Sequence, residues 1–213
     1  MKIVSILLIY VAATVLTAKA QHASPFVVEQ AALNILYLGI DNPISVAADK
    51  YRTNELLLSA ENAKLKQWGN GEYYISPLKQ EAVKLRCRVI TDAGDTVDLG
   101  SKVFRTRMIP DPIVLVAGKQ GGLIKRNILF AQSGIQTVLK DFPYEVRFWL
   151  LSFAIKVSGS DRVYRANSPR FTHKMKAATK EVRKSEAVRI FDIKVKGPDG
   201  IIRILEPVEF VLW

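Results

Sequence analysis

Between residues 21 and 109 the apolar positions form short runs of β-forming residues separated by turn signals, with no long amphipathic helical repeat. Val27 opens a first run. Residues 34–40 carry Ile35, Leu36, Tyr37 and Leu38 and end at Gly39 and Asp41-Asn42-Pro43. Residues 44–48 form another run. Residues 55–66 hold Leu56, Leu57, Leu58 and Leu65, a spacing that a short helix fits about as well as a strand. Trp68 precedes Gly69-Asn70-Gly71, a strong turn, and residues 72–75 are again rich in β-formers. Residues 82–91 and 97–108 flank the turn Asp92-Ala93-Gly94-Asp95. In Val83-Lys84-Leu85-Arg86-Cys87-Arg88-Val89 apolar and basic residues alternate strictly, which places Cys87 on the apolar face of a strand as a buried, structural thiol. About seven short strands in roughly ninety residues predict an immunoglobulin-like sandwich without its disulfide.

Ile109-Pro110-Asp111-Pro112 interrupts this pattern, since two prolines in three residues remove ladder donors and stiffen the chain. The expected units are therefore residues 21–109 and 110–213. The second opens with an apolar strand at 113–117 and passes through Gly118-Lys119-Gln120-Gly121-Gly122. It continues into 123–132, a candidate short helix ending near Gly134, and then a strand at 135–139. Residues 146–157 are the most apolar run after residue 20 and read as the central strand of this half, with the odd positions from Leu151 to Val157 facing a covered core. Thr172 is placed to cap a basic helix that carries Met175 and Ala178 on one side. Strands at 188–195, 201–205 and 208–213 close the chain. The fold class expected is mainly β: two tandem β-rich domains, the first an immunoglobulin-like sandwich, the second a β-sandwich or α+β domain with one or two short helices. No internal repeat or low-complexity tract stands out.

The N-terminus changes the meaning of the rest. Lys2, an apolar run over residues 3–16 and the small-x-small triplet Ala18-Lys19-Ala20 have the layout of a secretory signal peptide over residues 1–20. The run is shorter than the twenty or so apolar residues that span a bilayer. Cleavage before Gln21 predicts a periplasmic or otherwise exported chain with no stable membrane span.

Composition fits a folded protein, with 49% hydrophobic and 24% charged residues in a chain of 213. Thirty-one Lys and Arg against 20 Asp and Glu give a formal charge of +11, reduced by two when Lys2 and Lys19 leave with the signal peptide. Such a charge invites nucleic acid, yet export and a shortage of interleaved aromatics argue against that partner. One cysteine and two histidines are too few for an intramolecular disulfide or a Cys/His zinc cluster.

Candidate chemistry is sparse. Gly118 to Gly122 lacks the Gly-Lys-Ser/Thr spacing of a phosphate loop, Asp92, Asp95 and Asp98 lack the bidentate glutamate of a calcium loop, and no serine sits in a Gly-x-Ser-x-Gly elbow. His22 and His173 have no nucleophile or acid in a recognisable relation to them. No catalytic residue, cofactor or metal is expected. The charge is more informative: residues 161–189 hold nine basic residues against Asp161, Glu181 and Glu186. Within this cluster Arg170, Lys174, Lys176, Lys180, Arg183 and Lys184 are the candidate partner-binding residues, for an acidic protein or anionic headgroups, against the plainer reading of a solvated helix face.

Several phrases carry a family resemblance. Asn34-Ile35-Leu36-Tyr37-Leu38-Gly39-Ile40-Asp41-Asn42-Pro43-Ile44-Ser45-Val46 resembles the opening of the penultimate domain of GldM, called PorM in non-gliding systems. Val103-Phe104-Arg105 with Ile109-Pro110-Asp111-Pro112 and Gly118-Lys119-Gln120-Gly121-Gly122 resembles its domain junction. Phe171-Thr172-His173-Lys174-Met175-Lys176 and Phe191-Asp192-Ile193-Lys194-Val195-Lys196-Gly197-Pro198-Asp199-Gly200 resemble its final domain. The resemblance implies tandem periplasmic β-rich domains forming the distal end of a dimeric shaft. In the family that shaft links a proton-driven inner-membrane motor to an outer-membrane-associated ring serving type IX secretion and gliding. The family's transmembrane helix and membrane-proximal helical domain have no counterpart here, where a signal peptide stands instead, so the expectation is a free-standing version of the tip.

The function expected is thus a non-enzymatic periplasmic protein-interaction module, possible homodimer included, docking on envelope or secretion-apparatus proteins. The alternative is an exported carbohydrate- or anionic-surface-binding β-sandwich. Exposed tryptophan discriminates the two: Trp68 and Trp149 lie in sequence that reads as core, and Trp213 is the exception.

Overall fold

The structure is a computed structural model that describes residues 26–29 and 34–213; the signal-peptide reading of residues 1–20 lies outside the described residues. Its strands in the first half are β1 (Phe26–Glu29), β2 (Ile35–Tyr37), β3 (Asn42–Ala48), β4 (Leu56–Glu61), β5 (Ala63–Gly69), β6 (Glu72–Pro77), β7 (Val83–Ile90) and β8 (Thr96–Arg107). They form two four-stranded sheets, β1-β3-β6-β5 and β2-β8-β7-β4, the sandwich that period-two alternation demands. Val83, Leu85, Cys87 and Val89 all point inward from β7 and are buried, while Arg86 and Arg88 point out.

The leucines of residues 55–66 belong to two consecutive strands in opposite sheets, β4 pairing with β7 and β5 with β6, rather than to a helix. Asn62 takes a left-handed φ of 62° where the chain crosses from β4 to β5, and its side-chain amide donates to the carbonyls of Lys79 and Glu81, tying the crossing to the β6–β7 connection. Asn42, fully buried, holds the same end of the sandwich, opposite Ile75 of β6. Its Oδ1 accepts from the Tyr37 N–H at 2.7 Å, and its Nδ2 donates to the carbonyls of Tyr37, Ile40 and Ile75 at 2.9 to 3.1 Å.

The second half contains β9 (Ile113–Leu115), β10 (Gly122–Ile124), α1 (Arg126–Ala131), β11 (Gln136–Val138), β12 (Trp149–Val157), β13 (Val163–Ala166), α2 (His173–Glu181), β14 (Ala187–Lys196), β15 (Ile202–Leu205) and β16 (Val208–Leu212). Six strands make one sheet in the order β10-β16-β14-β12-β13, with β15 also on β14; β9 and β11 pair separately. β12 and β14 are its centre. Their inner face, with Phe153, Ile155, Ile190, Ile193 and Val195, packs into one buried cluster with Met175 of α2 and Leu129 of α1.

Two expectations for this half need correcting. The stretch 123–132 begins as strand, with β10 running parallel to β16, and only Arg126–Ala131 is helical. The apolar run from residue 146 becomes strand only at Trp149, because Phe148 leaves the sheet to lie beneath the Arg203 guanidinium, 5.3 Å from its ring centroid.

The halves meet around residues 107–113. Ile109 is buried in the second cluster, and Tyr37 of the first half packs against it, edge-on to Phe142 at 4.7 Å and Tyr144 at 5.9 Å. Arg203 ties this region together: its Nε pairs with Asp111 at 2.8 Å, Nη1 donates to Asp199 Oδ1 at 3.0 Å, and Nη2 donates to Asp199 Oδ2 and, at 3.4 Å, to the Ile109 carbonyl. Burial alone pushes the Asp199 carboxyl up, but the Arg203 hydrogen bond, the backbone donors and the Arg203 charge outweigh it and hold it below the usual carboxylate value. Gly39, at φ +84°, comes so close to Asp199 that an added Cβ would lie 2.4 Å from the Asp199 Cα, so the turn after β2 is built for a glycine.

Candidate functional site

The basic cluster is organised by α2. Thr172 caps it, its hydroxyl accepting from the Met175 N–H at 3.2 Å, and Met175, Thr179 and the following Val182 are buried. With about 100° between successive helical residues, Lys176 and Lys180 share one flank while Lys174 emerges on the other. Lys180 reaches across to α1, its Nζ 4.6 Å from the Phe130 ring centroid. Arg170 lies before the helix, in a bridge with Gly134; Arg183 and Lys184 follow it, the Arg183 N–H donating to Glu186 Oε2 at 2.7 Å.

The six candidate residues therefore surround the two helix ends and both flanks rather than forming one stripe. Among the described residues none of their side-chain cations forms an ion pair with a carboxylate, whereas their neighbour Arg165 pairs with Asp192 at 2.8 Å. Lys176 and Lys180, one turn apart with the same charge, disfavour each other and so gain from an external anion. His173 is exposed at the first helical position.

Sequence reasoning missed the tryptophans. Trp68 and Trp149 are 55% and 48% exposed, which corrects their reading as core; Trp213 is also exposed, with Lys125 Nζ 4.9 Å from its ring centroid. Trp68 leaves the hairpin core because the β5–β6 register shifts between Gln67 and Gly69, and its ring stacks on Tyr74 at 5.5 Å. Trp149 lies beside Lys196 of β14 on the outer sheet face, and Leu151, expected to be covered, is the extra residue of a bulge between Leu150 and Ser152.

Two grooves of about 520 and 590 Å³ flank residues 137–147 and contain neither histidine nor cysteine. Asp98 is turned to Arg86 at 3.8 Å and accepts from the Gly100 N–H at 2.8 Å, and no group of three His, Cys, Asp or Glu among the described residues is placed to hold a metal ion. No helix of the described residues is long and apolar enough to cross a membrane. The Cys87 thiol is pushed up to about 11, by burial first and the charge of Asp98 second, the opposite of an activated nucleophile.

Against known families, residues 26–107 match the GldM third domain and residues 110–212 match the GldM C-terminal domain, consecutively and in that order. The chain belongs to the GldM family. No curated protein matches it. Among solved structures, the fibronectin(III)-like modules of Clostridium thermocellum CbhA share 12% identity at a TM-score of 0.29, over 87% of this chain and 94% of theirs. A structure determined for Dscam isoform specificity shares 8% at 0.27, over 89% of this chain and 52% of its own. A Bacteroides ovatus SGBP-B, solved with a mixed-linkage heptasaccharide, shares 10% at 0.20, over 87% of this chain and 45% of its own. The chain thus spans about half the length of the latter two.

Proposed function

We propose that this GldM-family chain is a non-enzymatic interaction module of the cell envelope, exported behind a signal peptide at residues 1–20 and working as two units, residues 21–109 and 110–213. Its partners are components of a type IX secretion or gliding apparatus, and the basic residues around α2 are their dock. The observation that carries this reading is the succession of the two GldM domains over residues 26–212. The cations of Arg170, Lys174, Lys176, Lys180, Arg183 and Lys184, none in an ion pair with a carboxylate of the described residues, supply a surface that attracts acidic groups over about a Debye length.

Mass spectrometry of the exported protein tests the first part: Gln21 is the expected first residue, and an intact Met1 in the purified envelope refutes export by cleavage. Crosslinking in the native cell tests the second, and ring or secretion-system proteins are the expected products. Reversing charge at Lys174, Lys176, Lys180 and Arg183 together is expected to weaken capture of those proteins chiefly at low salt; unchanged capture returns the patch to a solvated face.

A second reading, carbohydrate binding, rests on one observation: Trp68 is exposed and stacked on Tyr74, in register with Pro43 across β3 and β6. Soluble glucans that change the tryptophan emission of the parent but not that of W68F would support it, and glucans that leave the parent's emission unchanged would remove it.

A further inference from the structure

The β12–β14–β15 part of the second-half sheet has an outer face that no described residue covers. Two rows of register partners point to that side. Trp149 lies beside Lys196, and Lys196 beside Ile202; in the next row Ser152 lies beside Lys194, and Lys194 beside Ile204. The bulge adds Leu151 to this row. Ile202 and Ile204 are 59% and 70% exposed, and both lysines are exposed, while Arg203 and Leu205 between them point into the core. α2 lies behind the sheet, since Phe153 of the inner face meets Phe171, just before α2, at 5.6 Å. This face is therefore separate from the basic surface around the helix.

Four large apolar side chains enclosing two lysines, with no carboxylate in either row, have the make-up of a binding patch rather than of a solvated strand pair. We propose that this face docks an acidic polypeptide surface that also presents apolar side chains, Lys194 and Lys196 pairing with its carboxylates while Trp149, Leu151, Ile202 and Ile204 bury against its apolar groups. A second copy of this chain docked by a two-fold axis would set the lysine pairs of the two copies against each other. A lipid bilayer takes up apolar groups some 5–10 Å deep, and here it would have to bury two ammonium groups that sit in the middle of the apolar face. A polypeptide with carboxylates among apolar side chains matches both. The proposal stands on the sheet alone and does not depend on the assignment of α2 as the dock.

The experiment uses the purified full chain carrying W68F and W213F, so that Trp149 is the reporter. The probes are a random copolymer of glutamate and tyrosine, a glutamate homopolymer, and vesicles of phosphatidylcholine with phosphatidylglycerol. The copolymer is expected to shift the Trp149 emission and to bind about tenfold more tightly than the homopolymer, more weakly as salt rises. K194E/K196E and I202S/I204S are each expected to weaken it by about tenfold, with the far-UV circular dichroism of the parent retained because all four side chains are exposed. The single variant I204S carries the same test if the double variant loses its fold. K174E/K180E is expected to leave the Trp149 response unchanged, which separates this surface from α2. Equal binding of copolymer and homopolymer, variants that bind as the parent does, vesicle binding tighter than copolymer binding, or a dimer in sedimentation that I202S/I204S dissolves would each overturn the proposal.

Discussion

Replacing Asp199 by asparagine keeps the shape of the side chain and removes its charge at the place where the two halves of the chain meet. In the parent, Asp199 receives two hydrogen bonds from Arg203 and one from the Ile201 N–H, at 3.1 Å. Its side chain is wholly enclosed and that of Arg203 is 8% exposed, so water screens the pair little. Removing one member of such a pair costs about 3–5 kcal/mol, because the other charge is left buried. Arg203 keeps Asp111 at 2.8 Å and the Ile109 carbonyl, so the low end of that range applies and D199N is expected to cost about 3 kcal/mol. Urea unfolding at pH 7, followed by tryptophan fluorescence, measures it. The sign of the pH dependence is fixed by the depressed carboxyl. Its stabilisation is complete above the ordinary value of 3.8 and is lost as pH falls through the lower value of the folded chain. The gap between parent and D199N should therefore narrow as the pH falls below about 4. A cost under about 0.5 kcal/mol at pH 7, or a gap that stays constant to pH 2, would refute the view that a buried ion pair holds this junction.

Three further measurements test the framework on which the surfaces rest. N42A strips the partners from the Tyr37 N–H and three carbonyls at once and is expected to lower stability by about 2–4 kcal/mol in chemical denaturation, a loss that N42D does not restore because a carboxylate cannot donate to those carbonyls. G134A would place a Cβ 1.9 Å from the Pro169 carbonyl oxygen and 2.8 Å from the Arg170 Cα, both backbone atoms, so a thermal melt should show a loss of about 3 kcal/mol or more; a melt like the parent's would mean the two segments part easily. Cys87, fully buried with its thiol pushed up to about 11, should react with a disulfide reagent at pH 8 far more slowly in the folded chain than in urea, and equal rates would contradict its burial.

Where a physical rule acts between neighbours in sequence, the chain could be read directly. Period-two alternation from Val83 to Val89 decides which side of β7 enters the core, so the burial of Cys87 was legible, as was the Thr172 cap, whose hydroxyl reaches a backbone N–H three residues on. The phrases shared with the GldM domains were legible too, since they span most of the described chain in order. The leucines of residues 55–66 were ambiguous because short apolar runs suit either element; pairing of β4 with β7 and β5 with β6 decided them.

What sequence alone determined about this protein was the β-rich class, the family and the excess of positive charge in its second half. Only the tertiary structure decided which apolar residues remain in water. Trp149 and Leu151 belong to the most apolar run after residue 20, yet they face out because the register sets Trp149 beside Lys196 on the outer side and a bulge leaves Leu151 unpaired between Leu150 and Ser152. Ile202 and Ile204 face out because β15 turns its other side, Arg203 and Leu205, to the core. Likewise Asp199 reads locally as a turn residue, and becomes the anchor of the junction only when folding brings Asp111 and Ile109 to the same arginine. Alternation assigns a residue to one face or the other, but whether a face is covered depends on strands distant in sequence, and no local pattern encodes that distance.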